Sequence, residues 1–335
     1  MFTLQSKLPS LRQLYKDLPL NSTLRAKKLA NDKLLFDAIT TKNRFVVVCG
    51  PCAADDAQAV KEYCNLLAEY SHQLKNILLV PRIITAKPRS LGQGYIGMFF
   101  GSSSDNVDVA YGIYSSRKLL LDCLSITDLP LADELLFFEQ YKYCKDLISY
   151  YFLGARTSES TLHRNFASGL DIPVGVKNNT SGNLTALAQS IFCISNPKTV
   201  IDNNLTYLTS GNKLAHACLR GYTFKDINYN NCNDLTLEKL NGLYKQLDIK
   251  NNFILIDCSH ANSDKRASNQ SANAIDAVTN HFDQIGGIML ESYLNCGRDS
   301  QKYGYSKIDE CISIQETGKL LIELDSIIEA KKFKK

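Results

Sequence analysis

The feature that most constrains the fold of this chain is a recurring unit in which a short apolar run leads directly into polar or reactive residues. Phe45–Cys49 runs into Gly50-Pro51-Cys52, and Phe253–Ile256 runs into Asp257-Cys258-Ser259-His260. The other apolar runs of this kind are Ile77–Val80, Leu129–Ala132, Phe152–Ala155, Ile172–Val176 and Ile285–Leu290. Short runs rich in Val and Ile are typical of strands buried on both faces of a parallel sheet.

Helical patterns lie between these runs. Apolar residues at i, i+3, i+4 and i+7 predict amphipathic helices at Val60, Tyr63, Cys64 and Leu67 and at Leu184, Leu187, Ala188 and Ile191. A final amphipathic helix is predicted from Leu320, Leu321, Leu324, Ile327 and Ile328. Alternating strands and helices indicate an α/β fold. The reactive residues follow the strands, as they do at the active-site rim of a (β/α)8 TIM barrel.

The domain prediction follows from this pattern. Residues 1–44 precede the first strand and are predicted to form an N-terminal helical extension, and residues 45–335 a (β/α)8 catalytic domain. The stretch 196–220 is predicted to hold a sixth strand and a small inserted β-hairpin. A chain of 335 residues that is 44% hydrophobic is long enough for one such barrel.

Composition excludes several classes of protein. The formal net charge is only +4 with no long run of one sign, which argues against a nucleic-acid partner. The sequence holds no apolar stretch long enough to span a membrane and begins without a signal-peptide pattern, so we expect a cytoplasmic protein. In that compartment most of the 11 cysteines should be reduced.

Four residues are candidate metal ligands, each at or shortly after a predicted strand end: Cys52, His260, Glu291 and Asp309. In a closed barrel the first, seventh and eighth strands are neighbours, so these side chains could converge. A thiolate, an imidazole and two carboxylates suit one divalent ion of Mn, Fe, Co or Zn. Against this, a single Cys is more often a buried apolar residue, an Asp such as Asp309 is often a loop or capping residue, and the spacing is too long for a metal motif.

A rival interpretation concerns Cys49-Gly50-Pro51-Cys52, which is the dithiol sequence of thioredoxins. The chain has no Trp to precede the motif and is about three times the usual thioredoxin length. Ala53-Ala54-Asp55-Asp56 also indicates a loop with a helix N-cap, whereas a thioredoxin helix would begin directly after the second cysteine. The redox interpretation is therefore disfavoured.

A second group of candidates is cationic and lies at or near the strand ends: Arg82, Lys87, Arg89, Arg156, Lys177 and Arg220. Inward-facing cations at a barrel mouth are costly unless they bind anions. Arg offers bidentate donors to phosphate and carboxylate, and Lys a point charge that can also move a proton. Such a set suits substrates that together carry two phosphates and a carboxylate, although most Lys and Arg residues are simply solvated.

An ordered set of motifs carries a family resemblance. It comprises Gly50-Pro51-Cys52, Lys87-Pro88-Arg89, Gly154-Ala155-Arg156-Thr157-Ser158-Glu159-Ser160, Leu219-Arg220-Gly221, Ser259-His260-Ala261-Asn262 and Glu291-Ser292. Over about residues 8–330 the chain resembles the type I 3-deoxy-D-arabino-heptulosonate-7-phosphate (DAHP) synthases. The resemblance implies a TIM barrel that condenses phosphoenolpyruvate with erythrose 4-phosphate, in a homo-oligomer such as a dimer or tetramer.

The resemblance also implies roles. It assigns one divalent metal to Cys52, His260, Glu291 and Asp309, and phosphoenolpyruvate to Arg82, Arg156, Lys177 and Arg220. Arg89 and Ser90 would hold the phosphate of erythrose 4-phosphate, Lys87 would donate a proton to the aldehyde oxygen, and Glu134 would orient water.

Some positions depart from the family pattern. Ile96 stands where the family has a lysine, Ala86 where it has a glutamate, and the feedback region around Tyr141-Lys142 is altered. A relative that uses another phosphorylated aldose, and an inactive regulatory paralogue, therefore remain as alternatives.

Overall fold

The computed structural model of the chain describes residues 1–89, 92–101, 107–202 and 204–332. Its strands are β1 (Phe45–Gly50), β2 (Ile77–Pro81), β3 (Ala132–Glu134), β4 (Tyr150–Leu153), β5 (Val174–Lys177), β6 (Thr199–Asp202), β7 (Leu205–Leu208), β8 (His216–Leu219), β9 (Tyr222–Phe224), β10 (Ile227–Tyr229), β11 (Ile254–Asp257), β12 (Gly287–Tyr293) and β13 (Ile312–Ser313). Its α-helices are α1 (Leu11–Asp17), α2 (Ser22–Thr41), α3 (Ala57–Ser71), α4 (Val109–Thr127), α5 (Phe138–Cys144), α6 (Thr161–Ala167), α7 (Leu184–Ser195), α8 (Asp234–Gln246), α9 (Gln270–His281) and α10 (Ile314–Lys332).

A parallel barrel occupies the centre of the molecule. Strands β1, β2, β3, β4, β5, β8, β11 and β12 follow one another around it in chain order, and β12 pairs back with β1. A parallel bridge between Arg82 and Ala132 connects β2 to β3. The predicted (β/α)8 barrel is thus confirmed, and the parallel direction brings the carboxyl ends of these strands to one mouth.

The predicted strands and helices are present, with shifted boundaries. Leu129–Ala132 was predicted as a strand, but β3 begins only at Ala132 because Pro130 has no N–H to donate to a ladder. The N-cap predicted before α3 is Asp56, whose carboxylate accepts hydrogen bonds from the backbone N–H groups of Gln58 and Ala59. The helix therefore begins several residues after Cys52, unlike the helix of a thioredoxin.

Two hairpins interrupt the barrel. Strands β6 and β7 form the hairpin predicted within 196–220. A second hairpin, β9–β10, directly follows β8 and was not predicted. Its turn residues Lys225 and Asp226 have φ values of 48° and 63°, as a type I′ turn requires, without the Asn-Gly signature that would have marked it in the sequence.

Helix α2 closes the barrel at the end opposite the mouth. Its buried residues Leu35, Ala38 and Ile39 belong to the same cluster as the inward-facing side chains of the strands, such as Val46 and Leu255. The second, larger cluster lies between the strands and the surrounding helices. The division of the chain at residue 44 stays a prediction, since α2 packs directly onto the strands that follow it. Within the described ranges, every helix is too short or too polar to cross a bilayer.

Candidate active site

A cavity of about 570 Å³ opens at the carboxyl ends of the barrel strands and is called here the mouth cavity. Its wall contains Arg82, Lys87, Pro88, Arg89, Gln93, Gly94, Glu134, Phe152, Gly154, Ala155, Arg156, Lys177, Arg220, His260, Glu291, Ile308 and Asp309. Of the residues predicted from the sequence as site residues, Cys52 lies just behind this wall, and Ser90 falls outside the described residues. The others are brought together around one space.

A compact group of possible metal ligands lies at one side of the mouth cavity. Within the described residues, ligand atoms of Cys52, Glu291 and Asp309 all lie within 4.8 Å of one another. The Sγ atom of Cys52 is 3.4 Å from Oδ2 of Asp309. His260 lines the same cavity but is not part of this group. A soft thiolate with two carboxylates, and an imidazole beside them, fits a divalent transition metal better than Mg or Ca.

The barrel register explains why these ligands meet. Glu291 on β12 lies directly opposite Gly50 on β1, two residues before Cys52. Gly50 must lack a side chain because a Cβ atom there would lie 2.4 Å from the carbonyl oxygen of Arg82. Gln270 fixes the backbone of Glu291 from the other side: its Nε2 donates to the Glu291 carbonyl at 3.0 Å, and its Oε1 accepts from the Glu291 N–H at 2.8 Å.

Burial sets the protonation state of the cysteine ligand. Burial, and after it the neighbouring Glu291 carboxylate, raise the pKa of the Cys52 thiol to about 12. The thiol is therefore protonated in the metal-free protein at neutral pH. Because a cysteine binds metal as the thiolate, metal binding here must release a proton.

The arginines of the mouth cavity have hydrogen-bonding capacity left over. Arg82 is buried, and its Nη2 is 3.2 Å from Oε1 of Glu291. In the described part of the chain, its Nε and Nη1 atoms are buried without a hydrogen-bond partner, as is Nε of Arg220. A buried donor without a partner costs roughly 1–3 kcal/mol, and more when the group is charged. Donors left in this state fit an anion that enters the cavity.

Lys87 and Glu134 both line the mouth cavity. Burial disfavours the Lys87 ammonium, but neighbouring negative charges, among them the Glu291 and Glu134 carboxylates, outweigh that effect and hold its pKa above the usual value. Glu134 is buried at the end of β3, and its carboxylate touches the backbone of Gly154, where a Cβ atom would lie 2.1 Å from Oε1. Lys87 is thus an ammonium that can donate a proton into the cavity.

Two buried aspartates beside the site were missed by the sequence analysis. Asp133 accepts hydrogen bonds from the backbone and hydroxyl of Thr85, from Gln140 and from the Glu134 N–H, while burial raises its pKa to about 7. It joins the segment that leads to Lys87 to the strand that carries Glu134. The only sequence signal was its place beside Glu134.

The second aspartate is Asp257, the last residue of β11. Its Oδ2 lies 2.7 Å from Nζ of Lys177 and 3.0 Å from Nδ1 of His260. Although burial alone would raise its pKa, His260 and Lys177 hold that pKa well below the usual range. His260 itself has a φ of 58°, in the left-handed region that a residue other than Gly rarely adopts, so the backbone is strained where the imidazole enters the cavity.

The departures from the family pattern have clear positions. Ile96 does not line the described part of the mouth cavity. Its backbone carbonyl accepts a hydrogen bond from the Lys87 N–H at 3.0 Å. Ala86 is fully buried. A separate cavity of about 510 Å³ lies beside the β6–β7 hairpin and includes Tyr141 and Lys142, the region that the resemblance connects with feedback control.

Comparison with known proteins gives consistent matches along the chain. The family model described as "DAHP synthetase I family" matches residues 31–329. The tyrosine-inhibited phospho-2-dehydro-3-deoxyheptonate aldolase of Schizosaccharomyces pombe is 32% identical over 344 residues, covering 95% of this chain and 89% of that protein. The Tyr-sensitive enzyme of Escherichia coli is 34% identical over 330 residues, covering 93% and 90%. A solved structure of the aldolase from Francisella tularensis superposes with a TM-score of 0.91 at 30% identity, over 98% of this chain and 99% of that one.

Proposed function

We propose, from the premise that the chain belongs to the DAHP synthetase I family, that it condenses phosphoenolpyruvate, erythrose 4-phosphate and water to DAHP and inorganic phosphate. This reaction is the first step of aromatic amino-acid biosynthesis. The observation that carries the proposal is the mouth cavity, where cations with unused buried donors surround a Cys, Glu and Asp cluster. The predicted homo-oligomer, a dimer or tetramer, belongs to this proposal, as do its cytoplasmic location and the placing of catalysis within residues 45–335.

The cationic wall provides the binding energy and the positioning. Arg82, Lys177 and Arg220, together with Arg156, would hold the phosphate and carboxylate of phosphoenolpyruvate deep in the cavity. The exposed Arg89, with Ser90, would hold the phosphate of the aldose nearer the opening. Bringing two anions that repel each other into contact is most of the catalytic task, and preorganised cations perform it without reorganising during the reaction.

Three groups would carry the chemistry. The methylene carbon of phosphoenolpyruvate attacks the aldehyde carbon, and Lys87 donates a proton to the aldehyde oxygen as the C–C bond forms. Glu134 orients a water molecule toward the neighbouring carbon, which has become electron-poor, and the resulting hemiketal phosphate loses inorganic phosphate. Cys52, Glu291 and Asp309, joined by His260, would hold one Mn, Fe, Co or Zn ion, which supplies Lewis-acid polarisation of the aldehyde.

A phosphate-release assay tests the proposal. Metal-free protein is supplied with Mn, Fe, Co or Zn, phosphoenolpyruvate and each of several aldose phosphates. We expect release with erythrose 4-phosphate, its loss on chelation and its return with added metal. Release only with a different sugar would favour the diverged relative, and no release despite bound metal would favour the inactive paralogue.

A pair of matched variants tests the role of Lys87. Lys87→Met should lower kcat by about 100-fold or more if this ammonium is the proton donor. Lys118→Met removes a lysine that is exposed on α4 and pairs with Asp122, and it should leave kcat unchanged. A Lys87→Met enzyme as active as the Lys118→Met control would refute the assignment.

A further inference from the structure

A single buried carboxylate joins the two halves of the proposed site. Asp257 is fully buried at the end of β11, and its oxygen atoms contact both Lys177 on β5 and His260. Lys177 belongs to the anion-binding wall, and His260 to the proposed metal ligands. The two residues come from separate parts of the chain, and in the described structure Asp257 contacts them both.

The hydrogen bonds around Asp257 determine which imidazole nitrogen carries the proton. Ser259 Oγ lies 2.6 Å from Asp257 Oδ1 and 2.8 Å from His260 Nδ1. An ionised carboxylate can only accept, so the serine hydroxyl donates its single proton to Asp257. Its oxygen can then only accept from Nδ1, which must be an N–H. Nε2 is left with the lone pair that a metal ion needs.

The same carboxylate holds the Lys177 ammonium. Lys177 Nζ lies 2.7 Å from Asp257 Oδ2 and 4.9 Å from the centre of the Phe152 ring in the cavity wall. Lysine is a flexible side chain with several rotatable bonds, so a fixed partner is needed to keep its charge at one point. Asp257 supplies that partner while its other contacts fix the imidazole.

We propose that Asp257 is a positioning residue for both the metal and phosphoenolpyruvate: it fixes the Nδ1–H tautomer of His260 and the place of the Lys177 ammonium. That the anion bound by Lys177 is phosphoenolpyruvate rests on the proposed function.

Binding measurements that need no turnover test the proposal. Cobalt affinity is measured by competition with a chromophoric chelator, and phosphoenolpyruvate affinity by calorimetry on metal-free protein. We expect Asp257→Asn to weaken cobalt binding by about 10- to 100-fold, as the loss of a carboxylate behind a ligating histidine commonly does. Phosphoenolpyruvate binding should weaken by about tenfold because Lys177 loses its anchor.

Two further variants separate positioning from general damage. Lys177→Met should weaken phosphoenolpyruvate binding while cobalt affinity stays within about twofold of the unchanged protein. Asp325→Asn is the matched control, because Asp325 is a buried carboxylate that accepts the N–H groups of Lys75 and Asn76 before β2, at the closed end of the barrel. It should change neither affinity. Cobalt affinity of Asp257→Asn within about twofold of normal overturns the proposal.

If Asp257→Asn folds poorly, a spectroscopic measurement on the unsubstituted protein still tests the tautomer of His260. Nitrogen-15 NMR of the unsubstituted protein, labelled at histidine, reports the tautomer of each imidazole. The proposal requires His260 to carry its proton on Nδ1, and a proton on Nε2 instead would refute it. If the tautomer and the affinities are as expected but erythrose 4-phosphate is not consumed, the proposed function fails while the role of Asp257 stands.

Discussion

At the residue scale, two glycines determine how closely charged side chains can approach the barrel wall. The space beside Gly50 is filled by the backbone of Arg82, and the space beside Gly154 by the carboxylate of Glu134. These glycines are needed for close approach, since neither has the positive φ that marks glycines required by a turn. The position of Glu134 at the end of β3 therefore depends on a missing methyl group at the end of the neighbouring strand, β4.

Replacing Gly154 by Ala should impair catalysis more than stability. The new Cβ would lie 2.1 Å from Glu134 Oε1, so the carboxylate must move. Because a misplacement of about 1 Å can cost about 100-fold in rate, we expect kcat to fall by about 10- to 100-fold. The free energy of unfolding should change by less than about 1 kcal/mol, since the end of a side chain can give way. Steady-state kinetics and urea unfolding measure the two effects.

Gly242→Ala is the control for that substitution. Gly242 lies on α8, and a methyl group added there would meet no described atom within 4 Å outside its own helix backbone and chain neighbours. Alanine at this position should leave kcat unchanged and stabilise the helix by up to about 1 kcal/mol. If Gly154→Ala and Gly242→Ala have the same kcat, the close contact with Glu134 is not needed for the reaction.

At the element scale, helix α2 shows how a segment before the barrel completes it. One face of the helix contributes Leu35, Ala38 and Ile39 to the interior of the barrel, while Leu34 and Phe36 are exposed. The sequence analysis predicted a helical extension in residues 1–44 but could not show where it packs, because the partners come from strands throughout the chain.

Leu35→Ala should destabilise the whole barrel. It removes a fully buried side chain from the closed end, and substitutions of this kind cost about 2–5 kcal/mol. Leu34→Ala, on the same helix with a side chain that is 43% exposed, should cost less than about 0.5 kcal/mol. The midpoint of urea unfolding measures both. Equal midpoints for the two variants would show that α2 does not close the barrel in solution.

At the scale of the whole molecule, stability depends on a buried polar pair inside the barrel. Tyr150 Oη lies 2.9 Å from Nε2 of His216, and Nδ1 of the same ring lies 2.8 Å from the Leu214 carbonyl. Burial lowers the pKa of His216 from 6.5 to about 4. Between pH 6.5 and about pH 4 the unfolded chain therefore binds a proton on His216 that the folded chain does not bind. The free energy of unfolding consequently falls as the pH falls through this window.

This difference predicts a specific acid sensitivity. Between pH 7 and pH 5 the His216 contribution should lower the free energy of unfolding by about 2 kcal/mol. His216→Gln keeps a polar side chain near Tyr150 but does not titrate, so its unfolding free energy should fall less over the same range. Urea unfolding of both proteins at the two pH values isolates the effect, because the other titrating groups are common to both. Parallel pH dependence would contradict it.

The sequence was sufficient for the barrel and for the residues that line its mouth, because both follow from local patterns. Apolar runs mark strands, and the reactive residues directly follow them. Asp257 and Gln270 were missed as parts of the site because their partners, Lys177 and Glu291, come from other strands. The β9–β10 hairpin was missed because Lys225 and Asp226 form its turn without the usual turn residues.

The closed end made by α2 has a consequence for substrate access. Within the described chain the barrel interior is filled below the mouth cavity, so no ligand can pass through the base of the barrel. Arg82 and Lys177 are buried, whereas Arg89 is exposed. Under the proposed function, both substrates must therefore enter from the side of the carboxyl ends, and the anion held by Arg82 and Lys177 must move further inward than the aldose phosphate. The helix at the base of the barrel thereby fixes the direction of entry for a reaction at the opposite end.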